Sequence, residues 1–296
     1  MPTVRVGVVQ AGSELFDRDR SLEKALEWLR QAAREGARLV VFPEAFLGGY
    51  PKGEDFGARV GMRSPEGRTL FRRYFESACE VPGPETAALA EQAKRLGTYV
   101  VVGVIERDGG TLYCTALFIS PEGSVLGKHR KVMPTAMERL IWGFGDGSTL
   151  PVFQTDVGRI GAVICWENYM PLLRTAMYAQ GVEIYCAPTV DDRETWTPTM
   201  RHIALEGRCF VVSACQYTSN IRGGSVIVDP LGQILAGPVY GTETLLLADL
   251  DLGRIAEGKY DLDVTGHYAR PDLFRLLVNR RPMPAAEFRD NGWDDA

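Results

Sequence analysis

The sequence predicts an α/β protein in which helices cover the outer faces of β-sheets. Short apolar runs of strand length alternate with segments whose apolar residues recur at helical spacing. Some connections between strands are long enough for a crossover helix, whereas others are glycine-rich turns typical of hairpins. The 296 residues contain no internal repeat, low-complexity tract or linker, so we expect a single domain over residues 1–296.

The first third of the chain predicts a β-α-β unit followed by further helices. A strand over about 4–10, a helix over 21–36 and a strand over 39–42 predict a parallel crossover. The next predicted elements are a loop over 48–66, whose length is typical of a functional loop, and helices over 69–79 and 85–96.

Strands dominate from residue 99 onward. Tyr99–Glu106 and Leu112–Ser120 flank Asp108-Gly109-Gly110, a turn sequence typical of a hairpin. The other predicted strands cover residues 125–132, 152–155, 159–164, 183–188, 210–215, 225–229, 233–236 and 244–249. Helices are predicted after Cys165 and over 199–208 and 252–258, and an extended tail from about residue 260 is expected to wrap a surface or a neighbouring subunit.

The composition argues against several classes of protein. A formal net charge of -5 disfavours a general nucleic-acid binder, because phosphate binding needs a basic face. No apolar run approaches the length of a membrane span, and the first residues enter a strand directly, which argues against a signal peptide. Six irregularly spaced cysteines indicate reduced core thiols of a cytoplasmic protein. The three histidines are far apart and form no metal-binding pattern, and we expect no cofactor.

Cys165 is the first candidate for chemistry. It ends the apolar run Arg159–Ile164, and a helical pattern begins just after it, with Asn168 as a candidate cap and Pro171 in the first turn. A cysteine between a strand end and a helix start is held in place, and the positive end of the helix favours its thiolate. The alternative is a buried structural cysteine, which is the commoner case.

Two further charged residues end strands. Glu44 lies where α/β sheets usually bind ligands; it is either a solvated loop residue or a desolvated group whose raised pKa suits a general base. Strand alternation places Lys128 and Arg130 on one face and His129 and Lys131 on the other. Lys131 leaves the sheet there and could stabilise negative charge or hold a cysteine as thiolate, although most such runs are solvated basic faces.

Other polar groups have less specific interpretations. The loop over 133–148 either lines a site or has no functional role. Glu167 is either a site group or a helix cap. The run Asp191–Glu194 predicts a solvated loop, and His202 predicts a packed helical histidine. A cysteine, a glutamate and a lysine at three strand ends remain, and their spacing does not show that they converge.

Longer motifs carry a resemblance. The relevant stretches are Val41-Phe42-Pro43-Glu44-Ala45-Phe46, His129-Arg130-Lys131-Val132-Met133-Pro134-Thr135, Glu138–Ser148, Val163–Met170 and Gly223–Pro230. Together they resemble the nitrilase branch of the nitrilase, or carbon–nitrogen hydrolase, superfamily over about residues 4–281. The stretch Cys165–Pro171 and the loop Trp142–Gly147 are more similar to true nitrilases than to the amidase branches. Between Asn220 and Ile221, nitrilases usually carry extra residues, which are either deleted here or omitted from the sequence.

The resemblance implies a four-layer α-β-β-α sandwich, in which two subunits pair to form a longer one. It implies Cys165 as the nucleophile, Glu44 as the general base and Lys131 as the charge stabiliser. Glu138 would position substrate and water, and Trp166 would offer its backbone N–H beside the reacting centre. The implied partners are a nitrile, water and further copies of the chain, as a dimer and a larger spiral or filament.

The expected reaction converts an organic nitrile to a carboxylic acid and ammonia through thioimidate and thioester intermediates. One alternative is a superfamily amidase or carbamoylase with the same site residues, and another is a filament-forming scaffold with a vestigial site. The residues expected to choose among arylacetonitriles, aliphatic nitriles and cyano-amino acids are Tyr50, Trp142, Pro188, Thr189 and Trp196.

Overall fold

Two β-sheets pack face to face, and helices cover their outer faces. The computed structural model describes residues 2–286 and 288. A buried cluster lies between the sheets, and one further cluster lies under the helices on each side. The predicted α/β class and its α-β-β-α layers are therefore confirmed.

The strands of the described residues are β1 (Thr3–Gln10), β2 (Leu39–Val41), β3 (Ala58–Arg59), β4 (Met62–Arg63), β5 (Tyr99–Asp108), β6 (Thr111–Ile119), β7 (Val125–Arg130), β8 (Val152–Thr155), β9 (Gly158–Ala162), β10 (Ile184–Cys186), β11 (Phe210–Ser213), β12 (Tyr217–Thr218), β13 (Ile221–Val228), β14 (Ile234–Tyr240) and β15 (Thr244–Asp251). The helices are α1 (Arg18–Arg34), α2 (Pro65–Glu76), α3 (Pro84–Leu96), α4 (Pro171–Ala179), α5 (Trp196–Gly207) and α6 (Gly253–Asp261). Shorter 3₁₀ turns cover Ala136–Leu140, Gly147–Thr149 and Cys165–Tyr169. Among the described residues, each helix is too short or too polar to cross a bilayer.

The two large sheets share one plan, with parallel strands inside and antiparallel strands outside. The first sheet has the order β15-β1-β2-β5-β6-β7, and the second has the order β12-β13-β11-β10-β9-β8 with β14 paired to β13. Strands β1, β2 and β5 run parallel, as do β9, β10 and β11. Glu44 and Cys165 therefore both follow the carboxyl end of a parallel strand, β2 and β9 respectively, which is where such sheets place ligands.

Apolar side chains from both sheets and from all six helices of the described residues form the core. Val8 of β1 and Val212 of β11 belong to the cluster between the sheets. Leu29 of α1 and Leu89 of α3 pack on the first sheet, and Met200 of α5 packs on the second. Each such side chain contributes about 1.5–3 kcal/mol when fully buried, so this core fixes the strand ends that carry polar groups.

Three helices begin earlier than the sequence predicted, because their start signals lie upstream of the apolar pattern. Asp17 caps α1 by accepting the N–H of Arg20 at 3.0 Å, and Ser64 caps α2 by accepting the N–H of Gly67 at 3.0 Å. The predicted loop over 48–66 therefore ends at Ser64, and it contains the β3-β4 ribbon. Helix α5 likewise begins at Trp196.

The short junction around Asn220 closes as a hairpin. Thr218 pairs with Ile221, so Ser219 and Asn220 form a two-residue turn between β12 and β13. The hydroxyl of Thr218 donates to the side chain of Asn220 at 2.8 Å. The departure from the family pattern is thus accommodated without a break in strand pairing.

Helix α6 ends at Asp261, and most of the described residues after it are exposed. The N–H of Met283 donates to Asp146 Oδ2 at 2.8 Å. A Cβ on Gly147 would lie 1.9 Å from the carbonyl oxygen of Asn279, so the tail passes directly over this glycine. The tail therefore lies along the surface of the loop over 133–148.

Candidate active site

Glu44 is fully buried just beyond β2, so the solvated-loop interpretation of this residue is wrong. A Cβ on Gly103 would lie 2.3 Å from the Pro43 oxygen, and glycine at this position lets β5 approach the Glu44 turn. Ala45 has a φ of 52°, in the left-handed region that alanine rarely adopts. The side chain of Gln216 donates to the Glu44 carbonyl at 2.7 Å. Both sheets therefore hold this turn in place.

The Lys131 side chain is fully buried between two glutamates. Its backbone N–H donates to the Cys114 carbonyl at 2.8 Å, which extends the β6-β7 pairing by one residue. Its Nζ lies 2.7 Å from Glu44 Oε1 and 2.8 Å from Glu138 Oε2. Burial alone would lower the pKa of the ammonium group, but the charges of Glu44, Cys165 and Glu138 outweigh burial and raise it. Lys131 therefore remains a cation.

Glu138 lies in the 3₁₀ turn Ala136–Leu140 and enters the same cluster. Its Oε2 accepts the backbone N–H of Thr135 at 2.6 Å as well as the ammonium, and its Oε1 accepts the Tyr50 hydroxyl at 2.7 Å. Burial and the nearby carboxylates raise the pKa of Tyr50, so the hydroxyl keeps its proton and acts as a donor. The loop over 133–148 therefore contributes a carboxylate to this cluster.

Two carboxylates share the Lys131 ammonium. Burial raises the pKa of Glu44, and the negative charge of Glu138 adds to this effect while Lys131 opposes it. Glu44 Oε1 accepts the Cys114 thiol at 3.5 Å in addition to Lys131. Within the described residues, the second carboxylate oxygen of Glu44, Oε2, is buried and has no hydrogen-bond partner. A carboxylate in this state is able to accept a proton.

Cys165 opens the 3₁₀ turn beyond β9 with a φ of 50°, again in the left-handed region. Its N–H donates to the Pro188 carbonyl at 2.9 Å, and the Thr189 hydroxyl donates to its sulfur at 3.2 Å. The thiol also lowers the pKa of the Glu44 carboxyl, against the larger effect of burial. Strained backbone at Ala45 and Cys165 is typical of functional sites.

The Cys165 thiol keeps its proton in the resting site. Burial raises the pKa of this thiol and the Glu44 carboxylate raises it further, whereas Lys131 and the Thr189 hydroxyl oppose the shift. The expectation that a helix start would favour the thiolate is wrong here, because α4 begins only at Pro171. A thiol in this state reacts as a nucleophile only after it loses its proton.

Trp166 follows the thiol, and its indole is 42% exposed. Its Nε1 donates to Asp191 Oδ2 at 2.9 Å, and the Arg193 guanidinium lies 4.5 Å from the centre of its ring. Asp191 is itself buried and paired with Arg193. The prediction of a solvated loop is therefore wrong for Asp191, whose carboxylate anchors the indole.

A cavity of about 660 Å³ borders the cluster at Tyr50 and Glu138. Its walls combine Phe56 and Phe71 from the 48–76 segment with Met137 and Ile141, together with charged residues at its rim. Glu44, Lys131 and Cys165 are not among its lining residues, so the cavity reaches the cluster at Tyr50 and Glu138 and does not contact the thiol. Cys165 itself is 4% exposed.

The remaining predicted pocket residues have different positions. Pro188 and Thr189 contact Cys165 directly, as described above. Trp142 is buried under the Lys131 ammonium, 5.5 Å from the ring centre, and meets Tyr50 edge-on at 5.7 Å. Trp196 is a core residue rather than a pocket residue, because its buried indole donates to Ser213 at 2.9 Å. His202 is exposed on α5 rather than packed.

Two residues that contact Glu44 were not predicted. Cys114 lies within β6, and no motif marks it. Gln216 follows an apolar run at the end of β11, and a buried polar residue in that position was the available signal, because such groups need partners. All six cysteines lie within the described residues, where they are buried free thiols. Among residues 2–286 and 288, no cluster of three His, Cys, Asp or Glu side chains could hold a metal ion.

The fold agrees with comparisons to known proteins. A family model described as carbon–nitrogen hydrolase matches residues 5–260, and the chain belongs to that family. A nitrilase from Bradyrhizobium diazoefficiens is 56% identical over 302 residues, covering 96% of this chain and 94% of that protein. An aliphatic nitrilase from Sinorhizobium fredii is 54% identical over 308 residues, covering 98% of this chain and 100% of that protein. These relatives confirm the predicted nitrilase branch.

A solved structure supports the fold alone. A nitrilase-superfamily protein of Saccharomyces cerevisiae, described as a member of branch 10, superposes with a TM-score of 0.73 at 23% identity. The match covers 90% of this chain and 96% of that one.

Proposed function

We propose that this protein hydrolyses organic nitriles to carboxylic acids and ammonia, with Cys165 as the nucleophile. The observation that carries the proposal is the meeting of three strand ends: Lys131 Nζ lies 2.7 Å from Glu44. The Cys165 thiol is near enough to both charges for Glu44 to raise its pKa and for Lys131 to lower it. The close relatives named as nitrilases support nitriles, rather than amides, as the substrate class.

In the first step, the Cys165 thiol gives its proton to the partner-free oxygen of Glu44. The thiolate attacks the nitrile carbon, a C–S bond forms, and one π electron pair of the triple bond moves to nitrogen. Lys131 and the backbone N–H of Trp166 stabilise this developing charge. Glu44 then returns the proton to nitrogen, which gives a neutral thioimidate.

Two waters complete the reaction. Glu44 takes a proton from the first water as its oxygen adds to the thioimidate carbon, and passes this proton to nitrogen. Glu44 then moves the proton of the new hydroxyl to nitrogen, the C=O bond forms, the C–N bond breaks and ammonia leaves. The resulting thioester is attacked by the second water in the same way. The C–S bond breaks, the acid departs and the sulfur recovers its proton.

Thr189 supports the thiolate in this scheme. Its oxygen accepts the backbone N–H of Asp191 at 2.9 Å, so its own proton is directed to the Cys165 sulfur at 3.2 Å. Glu138 holds the ammonium from the side opposite Glu44 and receives the Tyr50 hydroxyl, which places both groups between the cavity and the thiol. A substrate that occupies the aromatic part of the cavity would approach the sulfur past Tyr50 and Glu138.

The test measures both products with a panel of arylacetonitriles, aliphatic nitriles and cyano-amino acids, each beside its matching amide. We expect equimolar ammonia and carboxylic acid from nitriles, and a mass increase on the Cys165 peptide when the reaction is stopped early. Turnover of amides alone would support an amidase or carbamoylase. Absence of turnover, with no labelling of Cys165 by a thiol-reactive nitrile analogue, would support a scaffold with a vestigial site.

We further propose that the chain acts in the cytoplasm as a homo-oligomer built from dimers and extended into a spiral or filament. Buried free thiols support a reducing compartment. Exposed apolar side chains of the tail, including Leu273, Phe274 and Leu277, support contacts with another copy. Light scattering of the full chain should give a mass above that of a dimer, and a monomer would contradict this.

A further inference from the structure

A second buried glutamate, Glu167, connects the two segments that carry Cys165 and Lys131. Its Oε1 accepts the N–H of Val132 at 2.6 Å, and its Oε2 accepts the N–H of Ile164 at 2.8 Å. Val132 directly follows Lys131, and Ile164 directly precedes Cys165. One carboxylate therefore joins the chain just after the lysine to the chain just before the thiol.

Helix capping accounts for only one of these contacts. The bond to Ile164 caps the 3₁₀ turn Cys165–Tyr169, but Val132 is 35 residues away in sequence. Helix α4 begins at Pro171, with Met170 as the preceding residue, so the Glu167 side chain caps no part of it. The capping interpretation of Glu167 is therefore insufficient.

His129 completes the arrangement from the strand that leads to Lys131. Both its side chain and that of Glu167 are fully buried. Its Nε2 lies 2.9 Å from Glu167 Oε2, and its Nδ1 lies 2.6 Å from the Thr149 carbonyl oxygen. Glu167 accepts a backbone N–H at each oxygen, and the Thr149 carbonyl oxygen can only accept.

These two acceptors define the protonation state of the ring. An imidazole between a carboxylate and a carbonyl oxygen donates to both only when both nitrogens carry protons. Burial alone would lower the pKa of His129, but the Glu167 carboxylate outweighs burial and raises it. The raised pKa agrees with a His129 ring that donates to both acceptors.

We infer that Glu167 and His129 are positioning residues that hold the Cys165 sulfur and the Lys131 ammonium at their working separation. The inference rests on the proposed function for its kinetic consequence. Neither residue needs to touch the substrate, because the carboxylate acts on the backbone at both reacting segments. A displacement of about 1 Å between reacting groups costs about 10²-fold in rate, so loss of this connection should lower turnover strongly.

The test compares Glu167→Gln, His129→Gln and the double variant with Glu106→Gln as a matched control. Glu106 of β5 is buried and pairs with Lys128 and Arg130. These two cations lie on the opposite face of β7 from His129. The readouts are kcat and KM for a nitrile, the rate of iodoacetamide alkylation of the Cys165 peptide by mass spectrometry, and the midpoint of thermal unfolding.

We expect Glu167→Gln and His129→Gln to lower kcat by about 10²-fold with little change in KM, and to slow alkylation of Cys165. The double variant should be no slower than the worse single variant, because the two side chains act as a unit. Glu106→Gln should lower the unfolding midpoint by a similar amount while kcat and alkylation stay near wild type.

Wild-type kcat and alkylation in Glu167→Gln and His129→Gln, with only the unfolding midpoint lowered, would overturn the inference and leave a purely structural pair. Equal losses of kcat in Glu106→Gln would overturn it too. If the wild type turns over no nitrile, the proposed function fails, and the alkylation rates of folded variants still decide the positioning role.

Discussion

Two buried glutamates, Glu44 and Glu106, contact neighbouring residues of β6, Cys114 and Thr115, and their pKa values shift in opposite directions. Glu106 accepts from Lys128, Arg130 and the Thr115 hydroxyl. Burial alone would raise its pKa, but these donors outweigh burial and lower it. Glu44 is equally buried, yet its pKa is raised. Both carboxylates have cationic partners, so burial and pairing alone do not distinguish them.

The ratio of charges accounts for the difference. At Glu106 two cations balance two carboxylates, since Arg130 also pairs with Asp108, whereas at Glu44 the single Lys131 ammonium is divided between two carboxylates. The first cluster is satisfied and is stable in one protonation state. The second retains excess negative charge and an oxygen able to take a proton, which is what a base beside a protonated thiol requires.

The largest expected effect is on kcat, and it should distinguish Cys165 at the charged cluster from Cys186 in the core. Burial alone raises the pKa of Cys186 on β10, whereas Cys165 also experiences Glu44, Lys131 and Thr189. Cys165→Ala should lower kcat by about 10⁶-fold, since loss of a nucleophile removes the covalent route. Cys186→Ala should keep near-normal kcat with some loss of stability from the small cavity. Ammonia release by both variants is the measurement, and substantial turnover by Cys165→Ala would exclude it as the nucleophile.

The contrast between the two glutamates themselves gives the next effect. Glu44→Gln should lower kcat by about 10²- to 10⁴-fold, the usual contribution of a general base, while the fold persists. Glu106→Gln should leave kcat near wild type and lower the free energy of unfolding by about 2 kcal/mol. This is less than the 3–5 kcal/mol typical of fully buried pairs, because Lys128 and Arg130 remain partly exposed. Kinetics and urea unfolding of both variants check this, and similar kcat losses would remove the distinction.

The pH dependence of stability should have opposite signs at the two sites. Folding lowers the pKa of Glu106, so its stabilisation is present above the ordinary glutamate value of about 4.3 and is lost as the pH falls through the lowered pKa. Folding raises the pKa of Glu44, so its favourable contribution is present below the ordinary value and is lost as the pH rises through the raised pKa.

Urea unfolding of the wild type and both variants between about pH 2.5 and pH 8 measures this dependence. The stability deficit of Glu106→Gln should shrink at acid pH, and the stability of Glu44→Gln relative to wild type should increase as the pH rises. Differences that move in the same direction would show that the two carboxylates have similar environments.

The sequence could predict the layers and the strand ends, because apolar periodicity and turn residues determine both. It placed Lys131 and His129 on one face of β7 and Lys128 on the other, and the contacts of these side chains agree. Motif resemblance then identified Glu44, Lys131 and Cys165 together. Spacing alone did not, because their proximity depends on how two separate sheets pack.

The errors of prediction concern partners that are distant in sequence. Asp191 was predicted to be solvated, but it contacts Trp166 and Arg193. Trp196 was predicted to line the pocket, but its buried indole donates to Ser213. Glu167 is a further example, because its partner Val132 lies 35 residues away in sequence. Local sequence shows which residues are polar and near a strand end, but not which of them find partners.

The smallest expected effect separates a tyrosine at the site from one outside it. Tyr50 donates to Glu138 at 2.7 Å, and Tyr178 donates to Glu206 at 2.9 Å on the outer helices. Tyr50→Phe should lower kcat/KM by about tenfold, because a hydrogen bond to a charged group typically contributes about 1.5–3 kcal/mol and part is regained from water. Tyr178→Phe removes the same type of bond and should reduce only stability. Equal kcat/KM in the two variants would mean that the Tyr50 hydroxyl supports the fold and not the reaction.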